Sequence, residues 1–383
     1  MPDRRVGRKA RFRTFAVALA LAALVSSSAD ANASAVPSKF WGVVPQSLPT
    51  EAVFQRLQRG GVDSFRFPVE WGAVESAEGQ QNWNYVDSLV GGAAASGLEP
   101  LPFVTGAPEW AIKQVSVNRA AHSFAPRNLP VSGAARAAWE SFLREAVARY
   151  GPGGAFWRQH PELAERPIRV WQIWNEPNFK YFDARPNGAE YGKLVKLSYT
   201  AVKTVDPGAD VLLAGLFARP KEAEGKYKKI RPRPALLATE FLRQMYRGNP
   251  GIKSRFEGVA LHPYSISFQE LEPRIEEVRK VMREAGDGGK GLWITELGWS
   301  SKTAVGNSNL FAKGKQGQVR EMKGAFKMLE RNRVKWRVQR VFWFSVDDRP
   351  GFCNFCDGTG LFAKGYVPKP SWKAYVKFAG GTP

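Results

Sequence analysis

Histidine and cysteine are both scarce in this chain. Its 383 residues hold three histidines, His122, His160 and His262, and two cysteines, Cys353 and Cys356. Three histidines leave a zinc hydrolase short of ligands. No G-x-S-x-G segment is present, which removes the serine-esterase elbow. No G-x-G-x-x-G follows the first apolar run, which argues against a doubly wound nucleotide-binding sheet. Beyond the N-terminal region no run approaches about 18 apolar residues, the length of a spanning helix. Ser/Gly linkers, internal repeats and coiled-coil heptads are also lacking, so one domain is the economical organisation.

The N-terminus has a layout of its own. Arg4, Arg5, Arg8, Lys9, Arg11 and Arg13 form a positive head, an uncharged run covers residues 14–25, and small residues follow. This is the tripartite pattern of a secretory signal over residues 1–35, with cleavage after Ala31 or Ala35. An uncleaved amphipathic anchor is the alternative, and Arg4-Arg5 gives a weak hint of a twin-arginine route. Residues 36–383 then form the mature chain, expected to be secreted or held at the cell envelope without stable membrane insertion. In that setting Cys353-Asn354-Phe355-Cys356 most simply closes a small local disulfide. Thioredoxin-like redox chemistry would need the motif between an early strand and its helix, and free thiols are the remaining reading.

Acidic residues are outnumbered, 35 against 56 basic ones, for a formal net charge of +21. Residues 1–35 carry six bases and two acids, so about +17 remains after their removal. Such an excess favours acidic surroundings, such as an anionic wall polymer or glycan. The basic residues are spread along the chain and no nucleic-acid motif accompanies them, so no nucleic-acid partner is expected.

From Phe40 onward, short apolar runs alternate with amphipathic ones. Strands are expected at 40–44, 62–68, 98–104, 168–174, 210–216, 256–262, 291–295 and 339–345. Helices are expected at 51–59, 85–95, 134–150, 191–205, 235–246, 271–285, 317–331 and 371–378. Thr50 is placed to cap the helix at 51, and Gly60-Gly61 and Gly97 stand just past helix ends. Eight strand–helix pairs predict an α/β (β/α)8 barrel with enlarged loops, filling 36–383 as one domain. In such a barrel the chemistry sits at the C-terminal ends of the strands.

Two carboxylates fall there. Glu176 follows the fourth strand in Trp174-Asn175-Glu176-Pro177, and Glu296 ends the seventh in Thr295-Glu296-Leu297-Gly298-Trp299. Pro177 supplies no amide and is expected to push Glu176 toward extended backbone. A carboxylate ending a buried strand is costly unless it is paired or used. Two facing each other across one cleft suit glycosidic bond cleavage, which needs one acid and one carboxylate about the bond. The bland readings are a loop carboxylate at 176 and a barrel salt bridge from Glu296 to Arg66.

These two segments resemble glycoside hydrolase clan A, the retaining (β/α)8 glycosidases, with family 39 and family 5 types closest. The likeness covers the mature chain strand by strand. It implies Glu176 as general acid/base, Glu296 as nucleophile and Asn175 as a hydrogen-bond partner of the sugar 2-hydroxyl. Arg66 in Phe65-Arg66-Phe67 resembles the arginine beside the nucleophile. His262 and Tyr264 resemble the clan's His-x-Tyr pair, and Trp343 on strand eight resembles its sugar-stacking platform. Trp41, Trp71, Trp110 and Trp299 also fall near strand ends, as subsites or as packing. The resemblance implies a poly- or oligosaccharide substrate and neither metal nor organic cofactor, and it is silent on oligomeric state. A double displacement predicts carboxyl groups about 5–5.5 Å apart. A transglycosylase, or a non-catalytic carbohydrate-binding barrel, would share the same cleft. Residues 219–234, rich in lysine and arginine, are expected on the active-site face, as a solvated loop or as a grip for anionic sugar.

Overall fold

Each of the eight expected apolar runs after residue 35 becomes a strand. The computed structural model describes residues 36–112, 128–218, 236–303, 310–351 and 356–383. The strands are β1 (Trp41–Val44), β2 (Ser64–Glu70), β3 (Glu99–Thr105), β4 (Val170–Ile173), β5 (Asp210–Phe217), β6 (Gly258–His262), β7 (Gly291–Leu297) and β8 (Val338–Phe344). They pair in sequence order, all parallel, and β8 returns to β1 through Trp41–Val341 to Val44–Phe344, which closes the barrel. Parallel neighbours need a crossover between them. Helices including Glu51–Arg59, Asn84–Ala95, Gly133–Tyr150 and Gly188–Val205 supply those crossovers, and Pro370–Ala379 follows β8. The expected (β/α)8 architecture is the one observed.

Side chains alternate between two faces along a strand. Val44, Leu101, Leu212, Ala260 and Phe342 point inward and form one packed cluster, with Val170, Trp293 and Phe344 against it. This apolar plug fills the barrel, as side chains do in closed eight-stranded sheets. The opposite faces bury against the helix layer, where Phe326 of helix Gly314–Arg331 stacks on Trp41 with ring centroids 4.3 Å apart. Gly60 shows why a helix end requires glycine there: a Cβ would lie 2.1 Å from the Trp372 ring.

Some boundaries differ from expectation. The strand expected at 62–68 runs Ser64–Glu70, and the helix expected at 235–246 runs Ala238–Gly248. Thr50 occupies the N-cap position but its side chain makes no cap bond. Its carbonyl instead accepts from the Val53 and Phe54 amides. A small two-stranded antiparallel sheet, β9 (Phe362–Ala363) with β10 (Val367–Pro368), was not anticipated. No helix among the described residues is long and apolar enough to cross a membrane. The leader expected at 1–35, the basic segment 219–234 and Cys353 lie outside the described residues. Cys356 is buried, and no free cysteine occurs among the described residues.

Candidate active site

After β4 the chain turns sharply. Trp174 has φ +71° and Glu176 φ +41°, both left-handed, so Glu176 is not extended as Pro177 suggested. Such conformations cost non-glycine residues roughly 1–3 kcal/mol each and persist only where the surroundings impose them. Here they do. The Trp174 amide donates to Val104 O at 2.8 Å and that of Glu176 to Gly215 O at 3.2 Å. The Trp174 indole donates to Phe182 O at 2.7 Å. Two residues on, Asn178 is fully buried; it donates to Phe217 O and Leu236 O and accepts from the Phe217 amide. The turn aims the Glu176 side chain into the mouth of the barrel.

On the opposite wall, β7 loses regular pairing with β8 between Ile294 and Leu297. That irregularity lets two successive residues, Thr295 and Glu296, both engage groups at the mouth. Glu296 accepts from Arg66 Nη1 at 2.7 Å through Oε1 and from the Tyr264 hydroxyl at 2.8 Å through Oε2. Arg66 has no exposed surface, and its other donors go to Gln172 Oε1 (2.7 Å) and Asn175 Oδ1 (2.8 Å). Its guanidinium also lies 4.0 Å from the centre of the Phe103 ring. A buried charge with this full set of partners escapes the penalty of an unpaired one. His262 Nδ1 is 2.7 Å from Glu176 Oε1 and 3.6 Å from Glu296 Oε2. Its Nε2 is 2.9 Å from Thr295 Oγ1.

The two carboxyl groups therefore share one cleft but not one environment. Burial pushes the Glu176 carboxyl well above the usual range, and the nearby Glu296 charge pushes it further, with partial relief from Arg66. Burial and the Arg66 charge hold His262 neutral, well below its ordinary value. Burial, then the Glu296 charge, pushes the Tyr264 hydroxyl up, so it stays a donor to the carboxylate. Glu176 is thus the protonated member of the pair, while Glu296 sits against a guanidinium, as an anion requires.

One oxygen of Glu176, one of Glu296 and a nitrogen of His262 lie within 4.8 Å of one another, a spacing at which three ligands can hold a metal. The surroundings disfavour a dication there. Both Glu296 oxygens already accept from protein donors, and one of those donors is a fixed positive charge 2.7 Å away.

Arg66, Asn175, Glu176, His262, Tyr264 and Glu296 thus come together at one mouth. Trp343 does not join them. It is wholly buried on the helix side of β8; its indole donates to Thr359 O at 3.0 Å and its ring packs near Trp299 and Phe326. Strand parity turns its neighbour Phe344, half-buried, toward the barrel interior instead. Trp41, Trp71 and Trp299 are likewise packed, and Trp110 remains half-exposed with its indole on Glu75 O. Sequence reasoning missed Gln172, Thr295 and Gly215. A glutamine inside the apolar run Val170-Trp171-Gln172-Ile173 was the available signal, since a buried polar side chain needs a partner.

A closed parallel barrel with an acid and a carboxylate paired at its C-terminal mouth defines a glycoside-cleaving class of site. The chain belongs to the glycosyl hydrolase catalytic core family, which it matches over residues 162–375, more than half its length. Its fold is shared with a family 39 glycoside hydrolase from Bacteroides cellulosilyticus WH2 (TM-score 0.59, 20% identity, 89% of this chain and 63% of that one). It is also shared with a monomeric beta-xylosidase from Caulobacter crescentus CB15 (0.59, 18%, 89% and 68%). A family 5 enzyme from Bifidobacterium longum subsp. longum, in complex with Manb1-4GlcNAc, gives 0.60, 12%, 90% and 78%. The resemblance to clan A thus stands, and the chain spans less than two thirds of the Bacteroides enzyme. No curated protein sequence matches it.

Proposed function

We propose that this protein is an exported, retaining glycoside hydrolase acting on a poly- or oligosaccharide. The observation that carries the retaining reading is the approach of Glu176 and Glu296 oxygens to within 4.8 Å. Retaining enzymes hold their carboxyl groups about 5–5.5 Å apart, whereas inverting ones leave about 6.5–9.5 Å for a water. Glu176, held protonated, gives its proton to the departing glycosidic oxygen. Glu296, paired with Arg66 and oriented by Tyr264, attacks the anomeric carbon to form a glycosyl ester. Esterification removes the Glu296 charge that adds to burial in holding the Glu176 proton, so Glu176 then takes a proton from the attacking water. Asn175, whose oxygen is committed to Arg66, offers its amide nitrogen to the sugar 2-hydroxyl, and Phe344 is the aromatic face placed to meet the ring.

The signal at 1–35, its cleavage, the Cys353–Cys356 bridge and an anionic or wall-associated substrate belong to the same proposal. The leader-like N-terminus and the net charge of +21 support them. The decisive experiment incubates the protein with a panel of β-linked polysaccharides and aryl glycosides and follows the anomeric configuration of the first product by NMR. Retention is expected. Inversion, or no turnover of any glycoside by a folded protein, would overturn the reading. Sugar-to-sugar transfer in place of hydrolysis would reassign the enzyme as a transglycosylase.

A further inference from the structure

The chemistry at the two carboxylates leaves a third, deeper row of buried side chains unused. Gln172, His262 and Thr295 have no exposed surface, and they connect Arg66 to Glu176 behind the two carboxyl groups. Arg66 Nε donates to Gln172 Oε1, which fixes the Gln172 amide: its NH2 faces Leu213 O at 3.1 Å and Thr295 Oγ1 at 3.4 Å. Thr295 Oγ1 in turn meets His262 Nε2 at 2.9 Å, and His262 Nδ1 meets Glu176 Oε1 at 2.7 Å. The space is tight; a Cβ on Gly215 would lie 1.9 Å from His262 Nε2, so the ring cannot move aside.

A neutral imidazole carries one N–H, and the partner at one nitrogen decides what the other can do. A hydroxyl can donate to or accept from Nε2; with Glu176 as the protonated carboxyl, its O–H takes Nδ1 as acceptor and the remaining Nε2–H goes to Thr295 Oγ1. We infer that Thr295 is a positioning residue for the acid step: by accepting from His262 Nε2 it selects the tautomer whose Nδ1 holds the Glu176 proton. The inference rests on the reading of Glu176 as the acid. The charged or titratable groups facing His262 are Glu176 beyond β4, Glu296 on β7, Arg66 on β2 and Tyr264 beyond β6. None of them reaches Nε2, so the hydroxyl of Thr295 sets that end.

Without the hydroxyl, an Nε2–H would be buried unsatisfied, which costs more than a bare ring nitrogen. Thr295→Val therefore moves the N–H to Nδ1, where it donates to Glu176 and favours the ionised carboxylate. The basic limb of the kcat/KM profile is expected to move down by about one pH unit, a tenfold change in the acid equilibrium. Thr295→Ser keeps the hydroxyl and the wild-type limb. A basic limb that stays in place in folded Thr295→Val overturns the inference.

A readout independent of turnover is the imidazole 15N spectrum. The chain has only three histidines, so His122→Gln and His160→Gln variants assign the third. On the acid side of the optimum, wild-type His262 is expected as the Nε2–H tautomer and Thr295→Val as the Nδ1–H tautomer. An Nδ1–H tautomer in the wild type overturns the proposal even if no Thr295 variant folds. A protein that shows the expected spectra but turns over no glycoside sinks the enzymatic reading and leaves the tautomer assignment standing.

Discussion

Asp183, seven residues past Glu176, carries a cost that only its burial explains. Desolvation pushes its carboxyl from the ordinary 3.8 up to about 7, against the pull of the Arg185 amide on Oδ1. Between those two values the folded state holds a proton that the unfolded chain has lost. Stability is therefore greatest below about pH 4, declines as pH rises and levels off above about 7, by up to about 4 kcal/mol. Asp183→Asn keeps an acceptor for Arg185 and cannot ionise. Its melting temperature is expected to exceed that of wild type at pH 8 and to match it at pH 4; equal curves would show that the carboxyl is solvated. At the catalytic pair the expectations differ by role. Glu296→Gln should reduce turnover to background for every leaving group. Glu176→Gln should lose about 10²–10⁴-fold on poor leaving groups and much less on activated aryl ones, as loss of a general acid does. Stopped assays on paired substrates separate the two.

At the scale of elements, the turn after β4 and the bulged end of β7 decide where the carboxylates go. Gly215 on β5 supports the first, because its carbonyl holds the Glu176 amide, and its missing side chain admits His262 at the end of β6. Gly215→Ala is expected to cost about 1–3 kcal/mol through overpacking and to lower kcat more than it raises KM. Thermal melts alongside kinetics check this. The strands and most helices were legible in the sequence, because apolar periodicity and flanking glycines are local signals. Their precise ends were not: Pro177 pointed to an extended Glu176, and neighbouring strands imposed φ +41° instead. Strand eight shows the same limit. Its period of two was visible, but not which residue faced inward, so Trp343 was expected at the cleft, whereas Phe344 is the one that packs toward the barrel interior.

For the molecule as a whole, Pro37–Pro383 form one compact unit. Deleting residues 1–35 is therefore expected to leave the melting temperature within about 2 °C of the full chain, a shift worth at most about 1.5 kcal/mol in a domain of this size. The excess of positive charge should act at long range and be screened. Retention on an anionic polysaccharide is expected to vanish near 1 M salt while turnover of a neutral glycoside persists. Retention that survives salt would point to specific contacts rather than net charge.

The sequence alone determined that this is an eight-stranded barrel and that Glu176 and Glu296 lie at strand ends, because periodicity, turn residues and position along the chain are all local. Only the tertiary structure decided what those carboxylates are. Arg66 and Glu296 are 230 residues apart and Arg66 and Gln172 are 106 apart, yet each pair meets at 2.7 Å. Closure of the barrel sets those distances, and the distances decide which carboxyl keeps its proton.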